Sequence, residues 1–363
     1  MTAVAEDYGA RRPWRTPGSG AAAPALGPPL LVQVGEQRSV PVPRCNNEGQ
    51  VVYQGEGLRI GRFQTAPGSE NFRFSGVPGE HIVVFQRGAV RLRRLGGASY
   101  LADAMTIHFL DPDQIYFRDG IEGESDRSTW IGVDAPLVER LLERRVAGER
   151  PRWRFQLAPV GATTYLLHCE LAAAIEEGGC GRGLLETASH LLLRRAFAEA
   201  RGFDARRGDT LLERTPLGEG ARELLGAESA TQRTIAELAI ALGCSSSHLG
   251  RLLRRHVDLS PHQYRLQIRL RKALVALLEG NRNLSDLGLR WGFASHSHFT
   301  TTFRGTFGVT PSQLHRRSAS ERLRDLVARL QAEPGSSAGA RVVEGSGRSS
   351  PRHRSGARRR PLD

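Results

Sequence analysis

The sequence predicts an α+β protein of two domains: a small β-barrel or jelly roll with a helical connector, then an all-α domain built on a tandem helix-turn-helix. Three observations carry that prediction. Between about Leu30 and Val133, short apolar segments are separated by turn residues. From Pro136 onward the apolar residues recur at spacings of three and four. Between Thr234 and Arg317, one unit of helix, glycine turn and second helix is written twice.

Residues 1–29 are rich in Ala, Gly and Pro and are expected to be a disordered tail. The first domain is placed at 30–201. Its strand segments read LLVQV, VVYQG, LRIGRFQ, NFRFSG, HIVVFQRGAVRLRRL, MTIHFL, QIYFRDG and STWIGV. Val90 and Leu92 alternate with Arg91 and Arg93, and Phe72 and Phe74 flank Arg73, the pattern of half-buried strands. Arg87-Gly88 and Gly96-Gly97 read as hairpin turns. About eight strands in roughly a hundred residues suit a small barrel or jelly roll. Tyr100, Tyr116, Arg118 and Trp130 are candidates to line a pocket, and as strand residues serve equally well as core or surface. Helices follow in PLVERLLERRV, ATTYLLHCELAAAIEEG and GLLETASHLLLRRAFAEAR, and a polar linker is expected at 202–216.

Charge separates the two parts. Residues 1–230 hold 28 Arg against 29 acidic residues, whereas 231–320 hold 13 basic residues against 4 acidic ones. The chain is +13 overall, so the excess lies in its C-terminal third. A basic domain beside a neutral one points to a polyanionic partner for the former. Residues 333–363, ending near Arg358-Arg359-Arg360, are expected to be a disordered basic tail. Cys45, Cys169, Cys180 and Cys244 form no CxxC pair, which argues for isolated reduced thiols and against a zinc site. No apolar run approaches the roughly 18 residues of a membrane span. Arg11-Arg12 leads into Pro13 and Trp14, not a continuous apolar core, so no secretory signal is read and the expected compartment is the cytoplasm.

In the first copy of the repeated unit, Thr234 and Glu237 make a capping box, and Ile235, Leu238, Ala239 and Leu242 form the buried face. Gly243 makes the turn and Ser245 caps the second helix. Leu249, Leu252 and Leu253 then point inward, leaving Ser246, Ser247, Gly250 and Arg251 outward, where a recognition helix meets base edges. In the second copy Gly292 makes the turn, Phe293 fills the angle between the helices and Ser295 caps the second one. Phe299, Phe303 and Phe307 face the core, leaving His296, Ser297, His298, Thr300, Thr301 and Arg304 on other faces. Between the copies, Pro261 to Gly280 reads as a helix of about 17 residues, ~25 Å long. Such a rod would set the two recognition helices about one DNA turn, ~34 Å, apart.

These residues resemble the AraC/XylS family of bacterial transcription regulators. The resemblance is carried by IAELAIALGCSSSHLGRLLRRH, LSPHQYRLQIRLRKALVALLEG and WGFASHSHFTTTFRGTFGVTPSQLHRR, above all Gly292-Phe293, Ser295, His298-Phe299, Phe303, Gly308 and Pro311. It places a DNA-binding domain at 217–317 and, from strand texture and position, implies a cupin-like effector or dimerisation domain before it. It implies transcription regulation, commonly activation, with double-stranded DNA and RNA polymerase as partners. Base contacts carried over by position fall on Ser246, Ser247, Gly250 and Arg251, and on His296, Ser297, Thr300 and Thr301. The chain departs from the family at Thr301, often Arg, and at Gly250, often polar. Arg251 is then the best candidate for a bidentate contact to guanine. Arg254, Arg255, Arg304, Arg316 and Arg317 are the candidates for phosphate contact, which positions without specifying. His298 serves as well for capping or packing.

An enzyme is not expected. His81 and His108 stand alone, no His-x-His precedes residue 296, and no GxSxG, P-loop or dinucleotide fingerprint occurs. No cofactor or metal is expected. The first domain has two open readings, a small effector bound inside the barrel or a module for homodimerisation or partner binding. The competing function for the whole chain is a non-catalytic interaction module that modulates another regulator.

Overall fold

The computed structural model describes residues 30–33, 39–42, 50–65, 74–76, 80–142, 151–207 and 215–333, a few loop positions within these excepted. The tail expected at 1–29, the one expected from 333 except Glu333 itself, Phe72 and Arg73, and 208–214 of the expected linker lie outside the described residues.

The strands in chain order are β1 (Leu30–Gln33), β2 (Ser39–Val42), β3 (Gln50–Gln54), β4 (Leu58–Thr65), β5 (Phe74–Gly76), β6 (His81–Gln86), β7 (Val90–Arg94), β8 (Ser99–Ala102), β9 (Thr106–Leu110), β10 (Tyr116–Gly120), β11 (Asp126–Val133) and β12 (Leu157–Pro159). They form a six-stranded sheet ordered β12-β9-β6-β11-β4-β3, a four-stranded sheet ordered β5-β10-β7-β8, and a separate β1-β2 pair. Ile82, Val84, Leu110 and Trp130 of the larger sheet meet Val90, Leu92, Tyr100 and Tyr116 of the smaller one in a shared core. Strand pairing joins the two sheets nowhere among the described residues. The sheet-rich domain expected from the sequence is present, then, as two layers that face each other.

Side-chain patterning explains which strand lies where. β6 buries both faces, because Val83 and Phe85 point to the helices while Ile82 and Val84 point between the sheets. It therefore reads as a continuous apolar run, as a central strand covered on both sides does. β7 is covered on one side only, and its alternation of Val90 and Leu92 with Arg91 and Arg93 is real. Gly61 of β4 makes room for the Trp130 indole opposite, where a Cβ would sit 2.0 Å from the ring.

The expected hairpin at Arg87-Gly88 is corrected by the structure. β6 pairs with β9 and β11, and β7 pairs with β8 and β10, so the chain crosses from one sheet to the other at this point. Arg87 and Gly88 N–H groups donate to the Arg127 carbonyl, and a Cβ on Gly88 would lie 1.8 Å from the Ser125 carbonyl oxygen. Glycine is there for a close backbone approach, not a turn. β7 and β8, on either side of the hairpin expected at Gly96-Gly97, are paired antiparallel, with Gly96 itself outside the described residues. β2, β8 and β12, of three or four residues, are not among the segments that the sequence marks as strands.

The helices are α1 (Ala135–Leu142), α2 (Ala162–Glu177), α3 (Arg182–Arg207), α4 (Pro216–Ala227), α5 (Ile235–Ala241), α6 (Ser246–Val257), α7 (Pro261–Leu278), α8 (Leu284–Arg290), α9 (His296–Phe307), α10 (Pro311–His315) and α11 (Ala319–Ala332). α2 is apolar around most of its girth because it is packed on several sides, by α3, α7, α9 and α11. One core consequently runs from the six-stranded sheet through α2 and α3 into Leu270, Phe299, Phe303 and Leu323. The sequence reading did not anticipate α11. It opens with a Ser318/Glu321 capping box and buries Leu323, Leu326, Val327 and Leu330, while Arg322 Nε meets the Glu170 carboxylate of α2 at 2.9 Å. No helix of the described residues is long and apolar enough to cross a membrane.

Candidate nucleic-acid interface

Each copy of the repeated unit folds as its caps dictate. The Thr234 hydroxyl accepts from Glu237 N and the Glu237 carboxylate accepts from Thr234 N, which starts α5. Gly243 turns the chain at φ 65°, and Ser245 Oγ accepts from His248 N at 3.2 Å to start α6. The second copy repeats the device with Gly292 at φ 74° and Ser295 Oγ accepting from His298 N at 3.1 Å. Both turns put glycine in the left-handed region, where a side chain would be strained.

Burial then sorts the two faces. On α6, Leu249, Leu252 and Leu253 are buried, while Ser246, Ser247, Arg251, Arg254 and Arg255 are exposed and Gly250 is partly so. A Cβ built on Gly250 meets nothing within 4 Å, so packing does not require glycine there. On α9, Phe299, Phe303 and Phe307 stack in series at 5.5 and 4.8 Å, with Phe293 against Phe299 at 5.1 Å. This stripe is core. His296, Ser297, Thr301 and Arg304 are exposed, and Thr300 is partly covered with its hydroxyl 3.4 Å from His296 Nε2. His298 lies edge-on to Phe293 at 5.6 Å, and its backbone N–H is what the Ser295 cap holds. Arg316 is exposed. Arg317 is also exposed, but its guanidinium is bonded to the Asp325 carboxylate of α11. The structure thus groups Ser246, Ser247, Gly250 and Arg251 on one helix start and His296, Ser297, Thr300 and Thr301 on the other, with arginines at or beyond each helix's far end.

α7 ties the copies together. Ser260 and Gln263 make its capping box, and Tyr264, Ile268, Leu270, Ala273 and Leu277 are buried. Arg269 Nη1 donates to Gly292 O, in the turn of the second copy, at 3.1 Å, while its Nε donates to Ser229 O ahead of the first. One side chain thus links the second unit's turn to the segment that leads into the first.

Sequence reasoning missed the groups that fasten this unit to the sheets. Asp103, Arg222, Tyr264 and Arg271 are all buried. Arg222 Nη2 donates to Asp103 Oδ1 at 2.9 Å, and its Nη1 donates to Glu219 Oε2 at 2.9 Å. Burial alone would lower the Arg222 pKa; the carboxylates of Asp103 and Glu219 more than reverse this, so the guanidinium is held firmly charged. Tyr264 Oη donates to Asp103 Oδ2, and burial followed by that carboxylate pushes the phenol well above its ordinary value. Arg271 donates to the carbonyls of Ala104 and Val160. Sequence holds only a faint trace of these contacts: charged residues at apolar positions of otherwise amphipathic helices, with partners more than a hundred residues away.

A family model described as a helix-turn-helix domain matches residues 238–317. The HTH-type transcriptional regulator ArgR of Pseudomonas aeruginosa is 34% identical over 80 residues, 22% of this chain and 24% of that protein. The HTH-type transcriptional activator RhaS of Enterobacter sp. is 33% identical over 88 residues, 24% of this chain and 31% of that one. The matched region thus spans about a quarter to a third of these relatives' length. Among solved structures, a transcriptional regulator with an AraC-type DNA-binding domain from Chromobacterium violaceum is 28% identical, covering 33% of this chain and 96% of that chain at a TM-score of 0.26. The superposition is too loose to bear on function. Sequence matches and fold both converge on the repeated unit: residues 238–317 of this chain are a helix-turn-helix domain of the AraC/XylS type.

Proposed function

We propose that this chain is a sequence-specific DNA-binding transcription regulator, an activator that works in the cytoplasm. The observation that carries the proposal is the pair of capped helices, α6 and α9, whose apolar faces are buried and whose starts offer an exposed polar surface flanked by arginines. Residues 246–251 and 296–301 would enter successive major grooves, with α7 as the spacer between them. Arg251 would read a guanine, and Arg254, Arg255, Arg304, Arg316 and Arg317 would bind phosphates. Phosphate contact by Arg317 would first require release of Asp325. RNA polymerase would be the partner at a promoter.

The sheet domain is assigned as a cupin-like effector domain that controls the chain, alone or as a homodimer. The support is a set of polar groups buried between the sheets. Tyr100 Oη, Ser128 Oγ and Trp130 Nε1 are buried there without a protein hydrogen-bond partner. The buried Arg118–Asp126 ion pair joins β10 of the smaller sheet to β11 of the larger one. A small polar molecule would satisfy such groups.

Selection of genomic fragments by the full chain, followed by a gel shift on those recovered, tests the reading. Enrichment of a common sequence motif is the expected result. Retention of no fragment above background would overturn it in favour of an interaction module. A thermal screen of small polar metabolites tests the effector assignment, since a ligand at 100 times its Kd raises stability by about 2.7 kcal/mol.

A further inference from the structure

The turn between β8 and β9 belongs to the sheet domain by sequence and to the first helix-turn-helix by packing. Met105 sits in the same apolar cluster as Leu225, Leu238, Leu249, Tyr264 and Ile268. Beside it, Asp103 is a hub with four donors. Its carboxylate accepts from Arg222 Nη2 at 2.9 Å, Met105 N at 2.9 Å, Thr106 Oγ1 at 3.1 Å and the Tyr264 hydroxyl. Two donors come from α4 and α7, two from the sheet domain. Glu219 extends the hub by accepting from Leu101 N at 2.7 Å and lying 3.2 Å from His256 Nδ1, at the end of α6. α4 and α7 are thus hydrogen-bonded to this turn directly, and α6 is joined to it through Glu219 and Arg222.

The other side of the hub leads between the sheets. Thr106 Oγ1, which donates to Asp103 Oδ1, lies 3.1 Å from His108 Nε2. A hydroxyl has one proton, so with that proton on Asp103 the His108 Nε2–H is the donor to Thr106. The His108 ring stacks on Tyr100 at 5.7 Å, and Tyr100 is one of the buried groups without a partner for its hydroxyl. An unbroken series, Tyr100–His108–Thr106–Asp103–Arg222/Tyr264, runs from the space between the sheets to α4 and α7.

We propose that Asp103 is a positioning residue for DNA binding by the first helix-turn-helix, and that Thr106 and His108 couple its grip to the state of the sheet interior. A group that bonds the Tyr100 hydroxyl or shifts the His108 ring changes the one hydroxyl that His108 and Asp103 share. Asp103 then holds Arg222 and Tyr264 differently, and α4 and α7 move relative to the sheets. The second helix-turn-helix shares α7 with the first but also packs on α2, which α11 holds, so the effect falls chiefly on the first. This rests on α6 and α9 being the DNA-reading helices.

Thr106→Val and Thr106→Ser in the full chain test it. Valine keeps the shape and removes the hydroxyl, and serine restores the hydroxyl. Hydrogen exchange of the free protein is read in α4–α7 and, as the control, in α8–α9. Affinity is read on a fragment selected by the wild type, and on that fragment with the α6 half of the site scrambled. For Thr106→Val we expect exchange in α4–α7 to rise about tenfold with α8–α9 within about twofold. Affinity should change about tenfold on the intact site and stay level on the scrambled one, with Thr106→Ser close to wild type on both readouts. Exchange rising equally in all helices would reduce Thr106 to a general stabiliser and overturn the proposal, as would unchanged exchange and affinity. A wild type that retains no fragment overturns the regulator reading and the coupling to DNA with it, whereas a wild type that binds and a Thr106→Val variant that binds identically overturn the coupling alone.

Discussion

Arg251 and Arg316 are both exposed arginines of the same domain, and they are expected to fail differently. Arg251 lies in the second turn of α6 on the face that carries Ser247, where base edges would be met. Arg316 caps the end of α10 and belongs to neither α6 nor α9. Arg251→Ala should cost about 1–3 kcal/mol at one base pair and relax the selected motif there. Arg316→Ala should weaken all sequences alike. A motif unchanged in Arg251→Ala would remove that residue from the base-reading set. Gly250 offers a complementary measurement on the same helix. Its Cβ position is open, and glycine inside a helix costs roughly 0.5–1 kcal/mol against alanine. Gly250→Ala should therefore raise the melting temperature, and any accompanying loss of DNA affinity would show that a base or phosphate approaches the bare backbone.

Elements differed in how far the sequence announced them. The tandem unit was legible to the residue, because its caps, glycine turns and buried stripes are local signals three to eight residues apart: Thr234 with Glu237, Ser245, Ser295, and Phe299 with Phe303 and Phe307. The exposed polar faces of α6 and α9 followed by subtraction. What the sequence did not announce depends on partners distant along the chain. The crossing at Gly88 looks like a hairpin until Ser125 and Arg127 are seen beside it. The Asp103 hub joins residues more than a hundred positions apart. α11 did carry a local signal, the Ser318/Glu321 box ahead of spaced apolar residues, but its partner α2 was out of view. That partner makes α11 sensitive to pH. Burial raises the Glu170 carboxyl from 4.5 to about 7, with Arg322 pulling the other way. Between those values the folded state holds a proton that the unfolded chain has released. The stabilisation from this group is complete below about 4.5 and is lost as pH rises through about 7. Melting temperatures at pH 5 and pH 8 should show wild type losing more across that interval than Glu170→Gln, and equal losses would place the titration elsewhere.

At the scale of the whole molecule, the uneven charge sets how binding should respond to salt. Residues 231–320 hold 13 basic against 4 acidic side chains, while the 230 residues before them are nearly balanced. The sheet domain therefore adds little to long-range attraction, and the cations that would displace counterions are those of the tandem unit. Each phosphate neutralised contributes about −0.9 to the slope of log affinity against log salt. Five contacts, from Arg254, Arg255, Arg304, Arg316 and Arg317, give a slope near −4.5, or a loss of roughly 500-fold between 50 and 200 mM salt. Arg317 is bonded to Asp325 in the unbound chain, and if that pair persists on DNA the slope falls to about −3.6 and the loss to roughly 150-fold. Asp325→Asn separates these cases, since freeing Arg317 should steepen the slope by about one contact's worth only if the pair otherwise holds. A slope shallower than about −2 in both proteins would mean that the arginines at the ends of α6 and α9 do not reach the backbone, and that the two helices do not lie in adjacent grooves.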